Sequence, residues 1–311
     1  MRRRALLALL PTPALAQEGR PIRLVIAFPP GGSTDALGRL IAPGMAERLR
    51  APVVPENRSG ASGAVGAGFV AQSAPDGHTL LLDSGGQAVN PHLLRGLAFD
   101  YATAFAPVTL LATLPLLLVV RPEVPARDLP SLLAWLRADP GRAAYGSVGV
   151  GARTHLAMAA LLRRAGIAGS HVPYRGGADQ VAGLLRGDVA MGFTSVALAS
   201  PLIRDGRVQA VAVSSAARSP LLAEVPTVAE QGFPGFALGD WLALLAPAGT
   251  PEAVVARIAD AARAAVDAAA PRLTELGLQA AAEGPVALAR FLAEERAAMA
   301  ALIAAEGIRL D

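Results

Sequence analysis

The sequence contains no cysteine and no lysine. Without cysteine there is no disulfide, no thiolate metal site, no cysteine nucleophile and no lipoprotein anchor, which needs a cysteine at the cleavage point. Without lysine there is neither a Schiff-base lysine nor the lysine of a phosphate-binding P-loop. All 28 basic residues are therefore arginine. No repeat of solenoid period occurs. No apolar run is long enough and unbroken enough to span a bilayer as a helix, since Phe105 to Val120 is interrupted by Pro107 and Pro115. That run reads as two strands.

What is present begins with a leader. Arg2, Arg3 and Arg4 precede an apolar Ala5 to Leu10, prolines at 11 and 13, and Ala14-Leu15-Ala16 before Gln17. A basic start, a short apolar region and a small-x-small site make residues 1–16 a secretory signal peptide, cleaved near Ala16. Removing its three arginines from the 28 leaves 25 basic residues against 25 acidic, a formal charge of zero. The basic balance of the whole chain thus resides in the leader and is no argument for nucleic acid as a partner. An exported chain without disulfide or lipid anchor fits a soluble protein of a bacterial periplasm. With 53% hydrophobic residues in 311, the chain can bury a real core, and the length fits two lobes.

The stretch that organises the chain is Ile22 to Asp35. Ile22 to Phe28 is apolar and β-branched, the pattern of a strand buried on both faces. Pro29-Pro30-Gly31-Gly32 cannot continue it, and Ser33, Thr34 and Asp35 are good helix N-cap types. Leu37, Leu40, Ile41, Met45 and Leu49 then recur at helical spacing. Strand, glycine turn and helix start present free N–H groups and the positive end of a helix dipole, which attract anions. The same unit serves as an ordinary connection throughout α/β folds.

Further along, strands are expected at 52–57, at 78–83, at 143–147, at 171–174, at 189–193 and at 208–213, with helices between them. Thr227-Val228-Ala229-Glu230 reads as a capping box opening a short helix. Thr250-Pro251-Glu252 opens one of two alanine-rich C-terminal helices, and Gly307 ends the other. Alternating strands and helices imply an α/β fold with parallel sheets.

Three motifs bear on chemistry. Gly66-Ala67-Gly68-Phe69-Val70-Ala71 matches the G-x-G-x-x-A cofactor fingerprint, but about ten residues separate it from the preceding strand, where the fingerprint requires direct succession. Small residues packed on a helix explain it more simply. No G-x-S-x-G occurs, Tyr145 standing where its first glycine should be before Ser147, and no H-E-x-x-H. Of the four histidines, His78 and His171 read as packed strand residues. His155 sits in the first turn of a helix after a glycine-rich loop, where it can reach a ligand or cap its own helix. The strand–glycine turn–helix unit recurs at Ser84 to Gln87 and at Ser147 to His155, with a weaker form at Thr194-Ser195. Such strand ends, brought together, hold a carboxylate with dipoles rather than with a fixed cation.

These residues carry a resemblance. Pro21 to Val25 through Phe28 to Asp35, Glu56-Asn57-Arg58, Ala74 to Leu81, Phe105 to Val108, Val172 to Gly176, Ser214 to Ser219, Val225 to Glu230 and Leu244 to Pro251 together resemble the substrate-binding proteins of tripartite tricarboxylate transporters, the Bug receptors. The resemblance covers nearly the whole chain after the leader, in order. It implies a two-lobed α/β fold of the type II periplasmic-binding-protein kind, each lobe a mainly parallel sheet flanked by helices, with the ligand cleft between. Lobe 1 is expected from 17–120 and 237–311, and lobe 2 from 121–236.

It further implies a small carboxylate ligand near Phe28, Pro29, Gly31, Gly32, Ser33, Thr34 and Asp35, with Ser84 and Gly85 beside it. Lobe 2 would contribute Ser147, Gly151, Arg153, Thr154, His155 and Thr194. The chain departs from the family pattern in that Ala152 and Arg153 replace small hydroxyl residues, and Ala190 and Thr194 replace aspartates. Losing those acids disfavours an amino group on the ligand. Arg153 either meets a second carboxylate or is a solvated surface arginine.

Taken together, the sequence reads as a periplasmic solute-binding protein, a monomer without cofactor or metal, that closes on a carboxylate and delivers it to membrane permease subunits. Two rivals remain. One is an exported α/β hydrolase-like enzyme using Ser147 and His155; the other is a sensor subunit that presents its closed form to a signalling partner.

Overall fold

The computed structural model describes residues 19–309. The expected leader, 1–16, lies outside them. In chain order the elements are β1 (Ile22–Ile26), α1 (Ser33–Leu49), β2 (Val53–Asn57), α2 (Ala64–Ala71), β3 (Thr79–Asp83), α3 (Gly86–Leu93), β4 (Phe105–Leu114), β5 (Leu116–Val120), α4 (Leu129–Ala138), β6 (Ala144–Ser147), α5 (Arg153–Arg164), β7 (Ser170–Pro173), α6 (Gly177–Arg186), β8 (Met191–Ser195), α7 (Val196–Arg204), β9 (Gln209–Val213), β10 (Asp240–Pro247), α8 (Glu252–Glu275), β11 (Gln279–Glu283) and α9 (Pro285–Glu306).

They form two sheets, ordered β11-β4-β10-β3-β1-β2 and β7-β6-β8-β5-β9. The first belongs to lobe 1 and the second to lobe 2. Both are mixed rather than mainly parallel. β1 runs parallel to β2 and β3, but β10 is antiparallel to β3 and β4. In lobe 2, β6 is parallel to β7 and β8, while β5 is antiparallel to β8 and β9. The reversed strands are β10 and β11 in the first sheet and β5 in the second, while β4 runs with β1, β2 and β3. β4 and β5 flank Pro115 on the way out, and β10 begins on the way back.

The chain changes sheet at Pro115 and again by Gly239. β5 pairs wholly within the second sheet, so the outgoing change of sheet falls at Pro115. Pro115 offers no backbone N–H, and a strand that must leave one sheet for another can break there without losing a ladder bond. The two crossings are tied together. Ser214 N donates to Leu116 O at 2.8 Å, Leu116 N donates to Ser214 Oγ at 3.1 Å, and Leu238 N donates to Ser214 O at 3.0 Å.

Each sheet is covered on both faces, which is why its strands read as continuous apolar runs. Leu24, Ile26, Leu80 and Leu82 pack on α1 and α8; Val25, Leu81, Ala243 and Leu245 pack on the other face with α9. In lobe 2, Leu118 and Phe193 lie in one cluster and Leu117 and Val119 in another. Leu156, from α5, is buried in the lobe 1 cluster beside Val89, Leu93 and Met299, so the lobes meet through apolar contact.

Two local expectations resolve differently. Thr227 and Glu230 do form the reciprocal box, with N–H to Glu230 Oε2 at 2.6 Å and N–H to Thr227 Oγ1 at 3.1 Å. No helix follows it, because Gly232 and Pro234 stop the chain after one turn. Gly66 lies inside α2, and a Cβ there would meet Arg58 O at 2.9 Å and Ala27 Cα at 3.1 Å. Its glycine serves close approach of α2 to the backbone of lobe 1, not a phosphate.

Candidate functional site

The turn after β1 is held from behind. Asp35, buried in the first turn of α1, accepts from Gly31 N at 3.0 Å, from Arg39 Nε at 2.9 Å and from Asn57 Nδ2 at 2.9 Å. The Asn57 amide also donates to Phe28 O at 3.0 Å, and its oxygen accepts from Arg39 at 2.8 Å. Burial pushes the Asp35 carboxyl up, but these hydrogen bonds and the Arg39 charge outweigh it and hold the group below its usual range. Gly31 takes φ +84°, which favours glycine.

Pro29, Gly31 and Gly32 are consequently exposed, Phe28 and Ser33 are half-buried, and Thr34 is buried. Gly32 caps α1 in extended conformation, with no side chain on the helix end. The first N–H groups of α1 have no intrahelical partner. Asp35 is thus the group that shapes the turn, and Asn57 and Arg39, which the sequence did not single out, hold it in place. Asn57 had a signal in the Glu56-Asn57-Arg58 segment; Arg39 had none beyond its i+4 spacing.

The second turn of lobe 1 is committed internally. Ser84 N donates to Asp83 Oδ1 at 2.9 Å, and Gly85 N donates to Asp240 Oδ1 at 3.1 Å. These two N–H groups are not available to a ligand. Asp83 is fully buried, and burial pushes its carboxyl up to about 7 despite bonds from Ser84 N and Gln87. Burial also raises Asp240, with the Arg153 charge opposing it. A Cβ on Gly63 would stand 3.0 Å from Asp83 Oδ1 and 3.4 Å from the Phe28 ring, so the two turns share a wall.

In lobe 2 the loop before α5 is folded by side chains from α5 itself. Val148 N donates to Thr154 Oγ1 at 3.1 Å, and Gly151 N donates to His155 Nδ1 at 3.0 Å. The His155 proton therefore sits on Nε2. His155 neither caps its own helix nor meets Ser147. Ser147 is fully buried; its hydroxyl accepts from Gly149 N at 3.1 Å and donates to Gly149 O at 2.9 Å. His171 Nε2 lies 2.6 Å from the same oxygen, and the tautomer of His171 sets which of the two donates. The His155 and His171 rings stack at 3.7 Å and 5°. Burial, and then the His171 charge, holds His155 down at about 4.

The lobes come together at two of the expected residues. A Cβ on Gly85 would lie 2.9 Å from Arg153 Cγ, and one on Gly151 would run into Leu93 Cδ1. Arg153 is buried, not solvated, and its guanidinium pairs with Glu295 of α9. Thr194, expected among the ligand contacts, is buried in β8. It lines a cavity of about 10 Å³ inside lobe 2 with Gln180, Leu184 and Val189, and its hydroxyl has no partner. Among the described residues no cluster of three or more His, Asp or Glu could hold a metal ion.

Known proteins share this fold. A family model described as "Tripartite tricarboxylate transporter family receptor" matches residues 37–308. The chain belongs to this family. A protein from Pseudomonas sp. strain P51, encoded in the tcbD-tcbE intergenic region, is 40% identical over 285 residues, covering 90% of this chain and 84% of that protein. An R. palustris protein solved with adipate superposes with a TM-score of 0.87 at 32% identity, over 95% of this chain and 100% of that one. MatC from Rhodopseudomonas palustris, solved with bound malate, gives 0.81 at 33% identity, over 91% and 99%. The fold is the two-lobed fold of periplasmic binding proteins, and the family is one of substrate receptors rather than enzymes.

Proposed function

We propose that this chain is an exported solute-binding protein that closes on a small carboxylate and delivers it to the membrane subunits of a tripartite tricarboxylate transporter. The observation that carries the reading is the turn from Phe28 to Ser33. It is exposed, it ends on the unpartnered start of α1, and a network of Asp35, Asn57 and Arg39 behind it keeps the shape without covering the front. Such a surface binds an anion by N–H groups and dipole, with no desolvated cation. Adipate and malate in two structural relatives, both dicarboxylates, support that chemistry. Lobe 2 completes the cleft with the start of α5, where Thr154 and His155 use their side chains on the loop and leave the helix N–H groups free for the ligand.

The test is mass spectrometry of small molecules released on denaturing the purified protein, followed by titration calorimetry with the released acid and with adipate and malate. A released carboxylate that rebinds with 1:1 stoichiometry is expected. Protein purified from its native host that releases no acid and shows no heat with any carboxylate would remove the reading.

A further inference from the structure

Arg153 stands on lobe 2, and its partners stand on lobe 1. Glu295 projects from α9, which packs on α3 and β4 of lobe 1 and also meets α5, where Arg163 pairs with Glu306 at 3.5 Å. Glu295 is oriented from its own lobe by Trp241 Nε1, which donates to Oε2 at 2.9 Å. Asp240, at the start of β10, is fixed by Gly85 N at 3.1 Å and Trp241 N at 2.8 Å. Among the described residues neither acid has an ion-pair partner from its own lobe. The guanidinium also touches Met299 Sδ at 2.7 Å, and its stem lies over Gly85. The side chain of Arg153 is 6% exposed and that of Glu295 20%. Lobe 1 thus carries two oriented carboxylates beside the crossing between the lobes, and the cation that answers them comes from lobe 2.

We infer that Arg153 is a closure latch: its pairing with Glu295, supported by Asp240, stabilises the closed arrangement of the lobes without any ligand. This rests on the reading of the cleft as a closing solute site, but it assigns Arg153 a different task from the one the sequence suggested. The protein supplies its own carboxylate to Arg153, so the residue positions the lobes rather than recognising a second carboxylate on the solute. A ligand can shift a two-state equilibrium only by its differential affinity for the two states. A latch of this kind lowers the amount the solute must contribute, and the measured affinity rises with the closed fraction.

The absence of cysteine makes the test direct. Glu47→Cys on α1 and Ala134→Cys on α4, both exposed, place one spin label on each lobe with no background thiol. Interlobe distances are then measured by electron–electron resonance on protein stripped of solute by unfolding, dialysis and refolding. The unaltered background is expected to show a population at the closed distance. Arg153→Met and Glu295→Gln should each lower the closed-to-open ratio about tenfold or more, since breaking one side of a buried pair leaves the other uncompensated. The double variant should go no further than either single one, because the two residues act through each other.

Unchanged distances in both single variants would overturn the latch, as would additive shifts in the double one. A solute-free protein wholly at the open distance would overturn it too. Glu295→Gln keeps an acceptor for Trp241 and carries the measurement if Arg153→Met does not fold. None of these readouts involves ligand, so the latch can fail while carboxylate binding stands, and the reverse.

Discussion

Asp83 and Asn57 show how much of the site is set by residues the solute need not touch. Asp83 is fully buried, and its carboxyl is raised from an ordinary value near 3.8 to about 7. The folded state therefore binds more protons than the unfolded state between those values, and stability falls as pH rises through that window. Asp83→Asn is expected to remove this dependence. Its melting temperature should exceed that of the unaltered protein above pH 7 and converge with it below pH 4, by scanning calorimetry across pH 4 to 8. A constant offset at every pH would mean that Asp83 is ionised throughout. Asn57→Ala removes the donors to Phe28 O and Asp35. It should cost about 1–3 kcal/mol of stability, the range for leaving buried groups unsatisfied. Carboxylate affinity should fall by about tenfold or more as the turn loosens, since about 1.4 kcal/mol is a factor of ten. Unchanged calorimetric affinity would show that the turn keeps its form without Asn57.

The start of α5 behaves as a unit because its own side chains shape the loop ahead of it. His155 accepts from Gly151 N on Nδ1, and its ring lies flat on His171. A proton on His155 would displace the Gly151 bond and face a second imidazole in stacking contact. The other ring beside it, Tyr145, offers no acid. Its folded pKa of about 4 lies below the unfolded 6.5, so the unfolded state binds more protons in between. Stability is lost as pH falls from about 6.5 towards 4. His155→Gln, which keeps an acceptor, should flatten this slope relative to the parent in melts between pH 7 and 4. An identical slope would assign the loss to other groups. Asp83 works in the opposite sense over part of the same range, so variant and parent are to be compared at each pH.

What was legible at this scale was the punctuation. Prolines and glycines mark Pro29 to Gly32, Pro115 and Gly307, and the buried runs between them read as strands. Strand direction was not legible, because an apolar run such as Trp241 to Leu245 has the same pattern whichever way it lies in a two-sided sheet. Neither was the partner of Arg153. Glu295 is 142 residues away on an alanine-rich helix whose acids resemble those of any solvated face. His171, likewise, looked like a packed strand residue, and only the fold brings it against Ser147 and His155.

At the scale of the whole molecule, the leader and the crossings govern what can be expected. If residues 1–16 are removed on export, the mature chain begins at Gln17 and is recovered by osmotic shock, as N-terminal sequencing of that fraction would show; intact Met1 in a cytosolic fraction would exclude it. The topology carries a consequence for the order in which the protein is made. Lobe 2 is one uninterrupted piece of chain between Pro115 and Gly239, while lobe 1 is assembled from the segments on either side of it. β10 is no edge strand: it lies between β3 and β4, and neither pairs with the other without it. As the chain emerges from its N-terminal end, β1, β2 and β3 can form one fragment, but β4 has no neighbour in its own sheet until residues 240–247 are out. Domains fold as units once their chain is complete. The lobe that is begun first is therefore finished last, and its sheet is zipped shut by a strand that arrives after the other lobe is already compact.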